Sequence, residues 1–122
     1  MSGDEIELTL PADEEFHRVA HLVLGGLAVR LDLTFEHLED LELALDALLE
    51  RPTTESAVTL RVRLLDGELR TIVGPFAHLR NELERGGADA LNLARILRAV
   101  CDSVEISEDD GSEWGELTKR VA

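Results

Sequence analysis

Two runs of alternating apolar and polar residues flank an Asp-Gly pair, and this feature constrains the fold more than any other. The run AVTLRVRLL begins at Ala57, and the run ELRTIV follows Asp66 and Gly67. Alternation with a period of two is typical of a strand with one buried face. An Asp-Gly pair supplies the left-handed residues of a two-residue turn. The sequence therefore predicts an antiparallel hairpin near the middle of the chain.

The first predicted helix follows the alternating strand EIELTL and runs from about Asp13 to about Leu31. Its expected buried positions recur at helical spacing and are Phe16, Val19, Ala20, Val23 and Leu27. Gly25 and Gly26 interrupt the helix, at a cost of roughly 1 kcal/mol each relative to alanine. The glycine pair predicts a closely packed neighbour, for which a core helix is favoured over the partner in a dimer.

The second predicted helix begins at Thr34, a good N-cap, and stops before Pro52. Its expected buried stripe is Leu38, Leu41, Ala44, Leu45 and Leu48. Beyond the hairpin, Gly86-Gly87 is expected to end a short helical piece, and Asp89 to cap a further helix. The inward residues of that helix are expected to be Leu93, Ala94, Leu97, Val100 and Cys101. The segment SEDDGSE then predicts the turn of a second hairpin.

This order of elements predicts a single domain, residues 1–122, with an α/β (α+β) architecture. Helices grouped between hairpins indicate a two-layer sandwich, in which a mostly antiparallel mixed sheet carries its helices on one face. A ferredoxin-like arrangement is the alternative from pattern alone. The composition, 44% hydrophobic and 31% charged over 122 residues, suits one compact domain.

The charge balance limits the class of partner. Twenty-six acidic against 12 basic residues give a formal charge of −14, which repels nucleic-acid phosphates and anionic membranes. We therefore expect no nucleic acid and no membrane as partner, and a basic protein surface or a cation instead. The single cysteine, Cys101, fits a reducing cytoplasm. The start MSGDEIELTL lacks the pattern of a signal peptide, and VAHLVLGGLAV is too short to span a bilayer.

An acidic row marks the second predicted helix. Glu42, Asp46 and Glu50 stand four residues apart on one stripe. Like-charged pairs at this spacing cost a few tenths of a kcal/mol each, and less if Arg51, or Arg61 or Arg63 of a neighbouring strand, offsets the charge. Taken alone, such a row is interpreted as a solvated helix face.

Other candidate residues form weaker patterns. His17 and His21 have the i, i+4 spacing of a zinc pair, but HRVAH lacks the Glu of the metalloprotease motif and a third ligand is not evident. His37 and Asp40 are discounted in the same way. Cys101 follows an apolar run, which is typical of a buried small residue rather than a nucleophile.

Two long segments resemble the bacterial anti-sigma-factor serine kinases in order and spacing. They are IELTLPADEEFHRVAHLVLGGLAVRLDLTFEHLEDLELALDALLE and LARILRAVCDSVEISEDDGSEWGELTKRV. The resemblance implies the GHKL, or histidine-kinase-like, ATPase fold. In that family a Glu on the second helix is the base towards the substrate hydroxyl, and an Asn four residues on helps hold the Mg²⁺ of ATP. When the family pattern is aligned with this sequence, the Glu position corresponds to Asp46 and the Asn position to Glu50. The resemblance implies Asp46 as catalytic residue, both residues as cofactor-binding, and Glu50 as Mg²⁺ ligand.

Three elements of that nucleotide site are altered in this chain. Glu50 places negative charge where the triphosphate oxygens would lie. Pro75 stands near the expected adenine-reading Asp and offers no acceptor side chain. Ala90, Leu91 and Leu93 occupy the positions of the lid glycines whose N–H groups cradle phosphate. We therefore predict a degenerate site without a cofactor, with ATP and Mg²⁺ expected only if activity survives.

Three functional hypotheses follow. The favoured one is a non-catalytic, pseudokinase-like anti-sigma domain in the cytoplasm. It would bind a sigma factor or an anti-sigma antagonist and, as the resemblance implies, form a homodimer through its first helix. The second is an active ATP-dependent serine kinase with Asp46 as base and an altered Mg²⁺ site. The third is a structural or oligomerisation domain. Whether the protein is an enzyme stays open, and the absence of catalytic activity is the favoured interpretation.

Overall fold

The computed structural model describes residues 5–85 and 88–121, without the side chains of residues 85 and 88–92. A short 3-10 turn, Glu14–Phe16, precedes the first helix. The strands and helices of the described residues are β1 (Glu5–Pro11), α1 (His17–Arg30), α2 (Phe35–Leu49), β2 (Ala57–Leu65), β3 (Glu68–Phe76), α3 (Leu79–Arg85), α4 (Ala88–Val100), β4 (Ser103–Asp109) and β5 (Ser112–Arg120).

The strands form one sheet in the order β1-β2-β3-β5-β4. Each pairing between these strands is antiparallel, so the described sheet is antiparallel rather than mixed. The predicted two-layer sandwich with helices on one face is confirmed. The ferredoxin-like alternative is wrong, because a fifth strand, β5, inserts between β3 and β4 and the four-stranded βαββαβ arrangement has no such strand.

The two hairpin turns are built from Asp-Gly pairs, as the sequence predicts for the central hairpin. Asp66 and Gly67 have φ angles of 52° and 76°, and Asp110 and Gly111 have φ angles of 54° and 82°. Positive φ at both central residues matches the right-handed twist of the flanking strands, and aspartate and glycine tolerate it. The turns therefore set the register of β2 with β3 and of β4 with β5.

The core lies between one face of the sheet and the helices. The sheet contributes the buried residues Val58, Leu60, Val62, Leu69, Val73 and Leu117. The predicted stripe of α2 is confirmed, with Leu41, Ala44, Leu45 and Leu48 buried and Leu38 half-buried. In α4, Leu93, Ala94 and Leu97 are buried as expected and Val100 is half-buried, as is Cys101 just beyond the helix.

The core-facing stripe of α1 differs from the predicted one. Ala20 and Leu27 are buried as predicted, together with Leu24 and Ala28, whereas Phe16 and Val23 are half-buried and Val19 is 37% exposed. A Cβ atom added at Gly25 or Gly26 would meet no heavy atom within 4 Å among the described residues outside the local helix. The prediction that a core helix packs against this glycine pair is therefore wrong, and a homodimer partner stays a prediction.

The helix ends show which local signals hold. The Thr34 N-cap is confirmed, since its Oγ1 accepts a hydrogen bond from the His37 N–H at 3.1 Å. α4 is described from Ala88, so Asp89 lies within the helix instead of capping it. The predicted stop at Gly86-Gly87 lies outside the described residues. None of the described helices combines the length and hydropathy that crossing a bilayer requires.

Gly74→Ala should destabilise the protein, because the Trp114 ring lies directly over Gly74. A Cβ at position 74 would stand 2.6 Å from Trp114 Cδ2, so the ring must move, at a cost of about 1 to 3 kcal/mol. Urea unfolding followed by circular dichroism measures the loss. Gly115→Ala is the control, because its Cβ would lie 3.4 Å from Leu79 Cδ2, an ordinary contact. Equal losses in the two variants would contradict this account.

Candidate functional site

The acidic row on α2 is met by a histidine from α1. His21 Nε2 lies 2.6 Å from Asp46 Oδ1, and His21 Nδ1 lies 3.0 Å from Glu42 Oε2. Ionised carboxylates only accept hydrogen bonds, so an imidazolium that donates from both nitrogens satisfies both contacts. We call these three residues the His21 cluster. The hydrogen bond to Asp46 is the main cause that raises the pKa of His21, and the charges of Asp46 and Glu42 add to it while partial burial opposes it.

The His21 cluster sits at the edge of the α1–α2 interface, where water still reaches it. The side chains of His21, Glu42 and Asp46 are 32%, 27% and 47% exposed, so the cluster is a moderate tie between the helices rather than a buried ion pair. His21 therefore offsets the repulsion along the row. Two of the arginines considered for this role contact other carboxylates, since Arg51 pairs with Glu82 at 3.3 Å and Arg61 pairs with Glu7 at 2.9 Å.

Glu50 lies at the C-cap of α2 and is exposed. It borders a shallow, open depression whose other lining residues are Glu14, Glu15, His17, Arg18 and Asp46. Carboxylate oxygens are suitable Mg²⁺ ligands, and an electronegative depression suits a cation better than a triphosphate. Among the described residues, however, no group of three or more His, Cys, Asp or Glu side chains is arranged to hold a metal. Glu50 as Mg²⁺ ligand therefore stays a prediction.

A different face of α2 is turned to α3, α4 and β5. Asp40 at one end pairs with Lys119 of β5 at 2.9 Å, and Arg51 at the other end pairs with Glu82 of α3. Helical spacing puts the buried residues Ala44 and Ala47 on the same stripe between them. This face therefore presents small apolar side chains, with an ion pair at each end, to the last two helices.

The end of β3 is closed by the loop that follows α2. Pro75 is buried, and its carbonyl accepts a hydrogen bond from the Thr54 N–H at 3.4 Å. The Ala77 N–H donates to the Pro52 carbonyl at 3.1 Å. Pro75 thus brings a backbone carbonyl, and no side-chain acceptor, to the expected adenine position.

The predicted lid positions lie at the start of α4. Leu93 is 1% exposed and belongs to the core, so its side chain packs inward instead of leaving a loop free. The side chains of Ala90 and Leu91 lie outside the described residues. At Leu93 the chain therefore forms part of a core helix rather than a glycine-rich lid.

The remaining candidates are engaged or inert. His21 of the discounted zinc pair is held by two carboxylates, and Asp40 contacts Lys119. His37 Nδ1 is buried without a partner among the described residues. Burial raises the pKa of the Cys101 thiol to about 11. That thiol is protonated at neutral pH and therefore a poor nucleophile.

The His21 cluster itself was not predicted, although the chain does carry a signal for it. Antiparallel helices joined by a short turn bring residues at equal distances from that turn to the same level. Counted across the turn at residues 31–34, His21 stands level with Ala44, and Glu42 and Asp46 lie on either side of that level. The histidines of HRVAH were compared with each other instead of with the facing helix.

Two known proteins are similar to this chain in sequence. No family model matches. The chain is 23% identical to the serine-protein kinase RsbW of Bacillus velezensis, over 90% of this chain and 82% of that protein. It is 24% identical to the serine-protein kinase RsbW of Bacillus pumilus, over 88% of this chain and 81% of that protein.

One solved structure extends this likeness to three dimensions. The structure of the RsbU and RsbW domains of Rv1364c from Mycobacterium tuberculosis matches with a TM-score of 0.71 and 18% identity. The match covers 97% of this chain and 32% of that chain, so this chain spans about a third of its length. The predicted histidine-kinase-like ATPase fold is confirmed, as is the resemblance to the anti-sigma-factor serine kinases.

We expect His21→Gln to lower the free energy of unfolding by about 1 kcal/mol, as for a half-exposed ion pair. Because folding raises the pKa of His21, the loss should be greatest below pH 6.5, the ordinary value of the unfolded chain, and should fade as the pH rises through the raised value. Urea unfolding at a series of pH values measures it. The control is His78→Gln, whose side chain is exposed. A loss that is independent of pH or grows towards alkaline pH would refute the prediction.

Proposed function

From the kinship with the anti-sigma-factor serine kinases, we propose that this protein is a non-catalytic regulatory domain of that kind. It acts in the cytoplasm by binding a sigma factor or an anti-sigma antagonist. The observation that carries the proposal is the 2.6 Å contact between His21 Nε2 and Asp46 Oδ1. The carboxylate assigned as base is turned to α1 and already accepts a hydrogen bond there.

A general base must reach the proton that it removes, directly or through one water. In the family the nucleotide lies beside the lid that precedes the last helix, which corresponds here to the side of α3 and α4. Asp46 faces α1 instead. An active site that used Asp46 would therefore need α2 to rotate or the nucleotide to lie on the α1 side.

The face of α2 that does meet α3 and α4 supports the same proposal. One position beyond Asp46 and Glu50, this face carries Ala47 and Arg51, which also stand four apart. Alanine has no group that accepts a proton. Arginine carries only donors and a positive charge, so it cannot ligate Mg²⁺, and Arg51 is paired with Glu82. Neither register therefore brings both the base and the metal-binding amide of the family to this face.

The kinase alternative draws on the open depression beside α2. Asp46 and Glu50 both line it, and their oxygens could hold a hydrated Mg²⁺ ion if ATP approached from that side. This alternative requires both carboxylates for nucleotide binding, which gives it a direct test.

The oligomerisation alternative draws on α1. Leu22 and Val29 are exposed, and a Cβ added at Gly25 or Gly26 between them would meet no atom within 4 Å in the part of the chain that the structure describes. A second copy packed on this stripe would form the homodimer that the resemblance implies. Sedimentation of the purified chain decides whether such a dimer forms.

Isothermal titration of ATP with Mg²⁺ into the purified protein should give no heat at millimolar nucleotide, and a thermal-shift assay should show no stabilisation. The reason is that neither face of α2 offers a base together with an uncharged Mg²⁺ ligand. The serine-protein kinase RsbW of Bacillus velezensis, treated identically, controls for conditions. Heat that disappears in Asp46→Ala or Glu50→Ala would establish the kinase alternative instead.

Binding of a protein partner is the positive half of the proposal. Purified sigma factors and antagonists from the source organism, tested one by one by surface plasmon resonance, should include at least one binder. Its affinity should be the same with and without ATP and Mg²⁺. If the whole set fails to bind, the proposed function is wrong even when ATP binding is absent.

A further inference from the structure

The described sheet has two free edges, one along β1 and one along β4. A strand at an edge directs the backbone N–H and C=O groups of every second residue away from the sheet. Those groups can form hydrogen bonds with a strand of another molecule. The residues that carry them follow from the alternation of hydrogen-bonded pairs along each strand.

On β1 the odd-numbered residues direct their backbone groups outward. The Ala12 N–H, just beyond the strand, donates to the Ser56 carbonyl at 2.8 Å. Because hydrogen-bonded pairs alternate along an antiparallel ladder, the bonds from β1 to β2 are made by Ile6, Leu8 and Leu10. The two-residue turn of the β2–β3 hairpin fixes the same alternation from the other side of β2. The outward row, which we call the β1 edge, consists of Glu5, Glu7, Thr9 and Pro11.

The β1 edge is a backbone ladder without a partner. In the part of the chain that the structure describes, no other backbone group bonds to its outward N–H and C=O groups. The side chains of Ile6, Leu8 and Leu10 face the helices and are only half-buried. Leu8 and Leu10 also border a small apolar cavity between β1, α1 and α2. An added strand would therefore extend both the ladder and the apolar layer.

The edge along β4, by contrast, is covered by Arg80. The two-residue turn of the β4–β5 hairpin directs the backbone groups of Ile106 and Glu108 outward. Arg80 Nη2 donates to the Ile106 carbonyl at 3.3 Å, and Arg80 Nε lies 3.8 Å from Glu108 Oε1. The arginine side chain thus lies across the middle of this edge, and such a cover prevents pairing with other strands. The β1 edge has no cover of this kind among the described residues.

The charges beside the β1 edge favour a basic strand. Side chains directly opposite one another on neighbouring strands interact most strongly, and the exposed Glu5 and Glu7 would be the nearest charges to a strand added about 4.8 Å away. Arg61 pairs with Glu7 at 2.9 Å and Arg63 stands opposite Glu5, but both arginines belong to β2, one strand further in. Lysine or arginine opposite the two glutamates would therefore stabilise the pairing, and a carboxylate there would oppose it.

Strand β1 of a second copy fits the β1 edge less well. An antiparallel pairing centred on Glu7 would set that carboxylate against its own equivalent. A pairing centred on Leu8 would set Glu5 opposite Pro11, which has no N–H to donate. Each copy also carries a formal charge of −14, and Arg80 keeps the edge along β4 from serving as the partner. These features favour a strand from a different protein.

We propose that the β1 edge binds an extended segment of a partner protein as an additional strand of the sheet. Lysine or arginine of that segment lies opposite Glu5 and Glu7, and the apolar residues between them lie beside Ile6 and Leu8. The inference rests on the proposed function, because it names the place and the chemistry by which a regulatory partner is bound. In this mode of recognition the backbone hydrogen bonds supply affinity and the alternating side chains supply specificity.

The test uses a fluorescein-labelled peptide of alternating lysine and valine, about nine residues long, and the full chain. Fluorescence anisotropy should show binding of this peptide and none of its counterpart with glutamate in place of lysine. The lysine amides point towards β1 when lysine lies opposite the glutamates, so their N-methylation should abolish binding. N-methylation of the valine amides, which point away, is the matched control and should preserve it.

Variants of the chain test the same contact from the other side. Thr9→Pro removes one outward N–H and leaves the ladder to β2 intact, so it should weaken peptide binding about fivefold, as for the loss of one hydrogen bond. Thr9→Val is its control, because it keeps the N–H and loses only the hydroxyl that contacts Thr59 Oγ1 at 2.9 Å. Glu5→Gln with Glu7→Gln should weaken binding several-fold and reduce its salt dependence. Glu105→Gln, which alters an exposed carboxylate on β4, should leave binding unchanged.

Hydrogen exchange followed by NMR on the wild-type chain reads the contact without any substitution. Saturating peptide should slow exchange of the Glu5, Glu7 and Thr9 amides. The amides of Ile6 and Leu8 are already bonded to β2, so their exchange should change much less.

Three results would overturn the β1 edge as a binding site. The first is that the lysine peptide does not bind. The second is binding that survives N-methylation of the lysine amides or leaves exchange of the outward amides unchanged, which would reflect general acidity alone. The third is a wild-type dimer in analytical ultracentrifugation that becomes a monomer in Thr9→Pro, since a second copy would then occupy the edge.

A partner found by surface plasmon resonance separates this inference from the proposed function. If that partner binds the wild type and Thr9→Pro equally, the β1 edge is not its site and the proposed function stands. If Thr9→Pro weakens the partner while Thr9→Val does not, and circular dichroism of both variants matches the wild type, the β1 edge is the site. Failure of the proposed function has a different signature, which is the absence of any binder to the wild-type chain.

Discussion

The packing of the α2 leucines against the sheet fixes the rotation of that helix, and the geometry of the candidate site follows from this rotation. Leu41, Leu45 and Leu48 are at most 4% exposed and face the core. Because burial of these leucines fixes the rotation of α2 about its axis, it also fixes the direction of every other side chain on the helix. One flank meets α1, the other meets α3 and α4, and the outer face is left to solvent or to a partner.

This rotation supports the proposal that the protein keeps the fold of a kinase without its catalytic activity. Asp46 is directed to α1, where His21 holds it, while Ala47 and Arg51 are directed to the last two helices. The buried leucines would resist any rotation that exchanged these faces, since it would expose apolar surface to water at about 25 cal/mol per Å². Core packing thus holds Asp46 away from α3 and α4, as the proposed loss of a usable base requires.

The sheet and α2 could be predicted because each carries a regular pattern closed by a clear local signal. The β2–β3 hairpin combines a period of two with an Asp-Gly turn, and α2 combines a helical stripe with the Thr34 cap. The buried stripe of α1 could not be predicted in the same way, because HRVAHLVLGGLAVR is apolar on nearly every side. Leu24 and Val19 fit a helical stripe equally well until the sheet selects one of them.

The candidate site, too, could be predicted in one part and not in another. The acidic row is visible in the sequence, because its members share one helix. Its partner His21 is not, because the level at which two helices meet depends on their packing. The glycine pair shows the same limit, since the sequence predicts a close neighbour but cannot say whether this chain or another supplies it. The sequence pattern predicts which residues share a face of one helix or strand, whereas contacts between two elements depend on how those elements pack.

The most direct test of this account is the ¹⁵N NMR titration of the His21 imidazole in the wild type and in Asp46→Asn. If α2 is rotated as described, the wild-type ring should titrate above pH 6.5, the ordinary value, and the titration should move to lower pH when Asp46 loses its charge. A ring that titrates at the same pH in both proteins would mean that Asp46 is not turned to α1. The argument against its catalytic role would then fail.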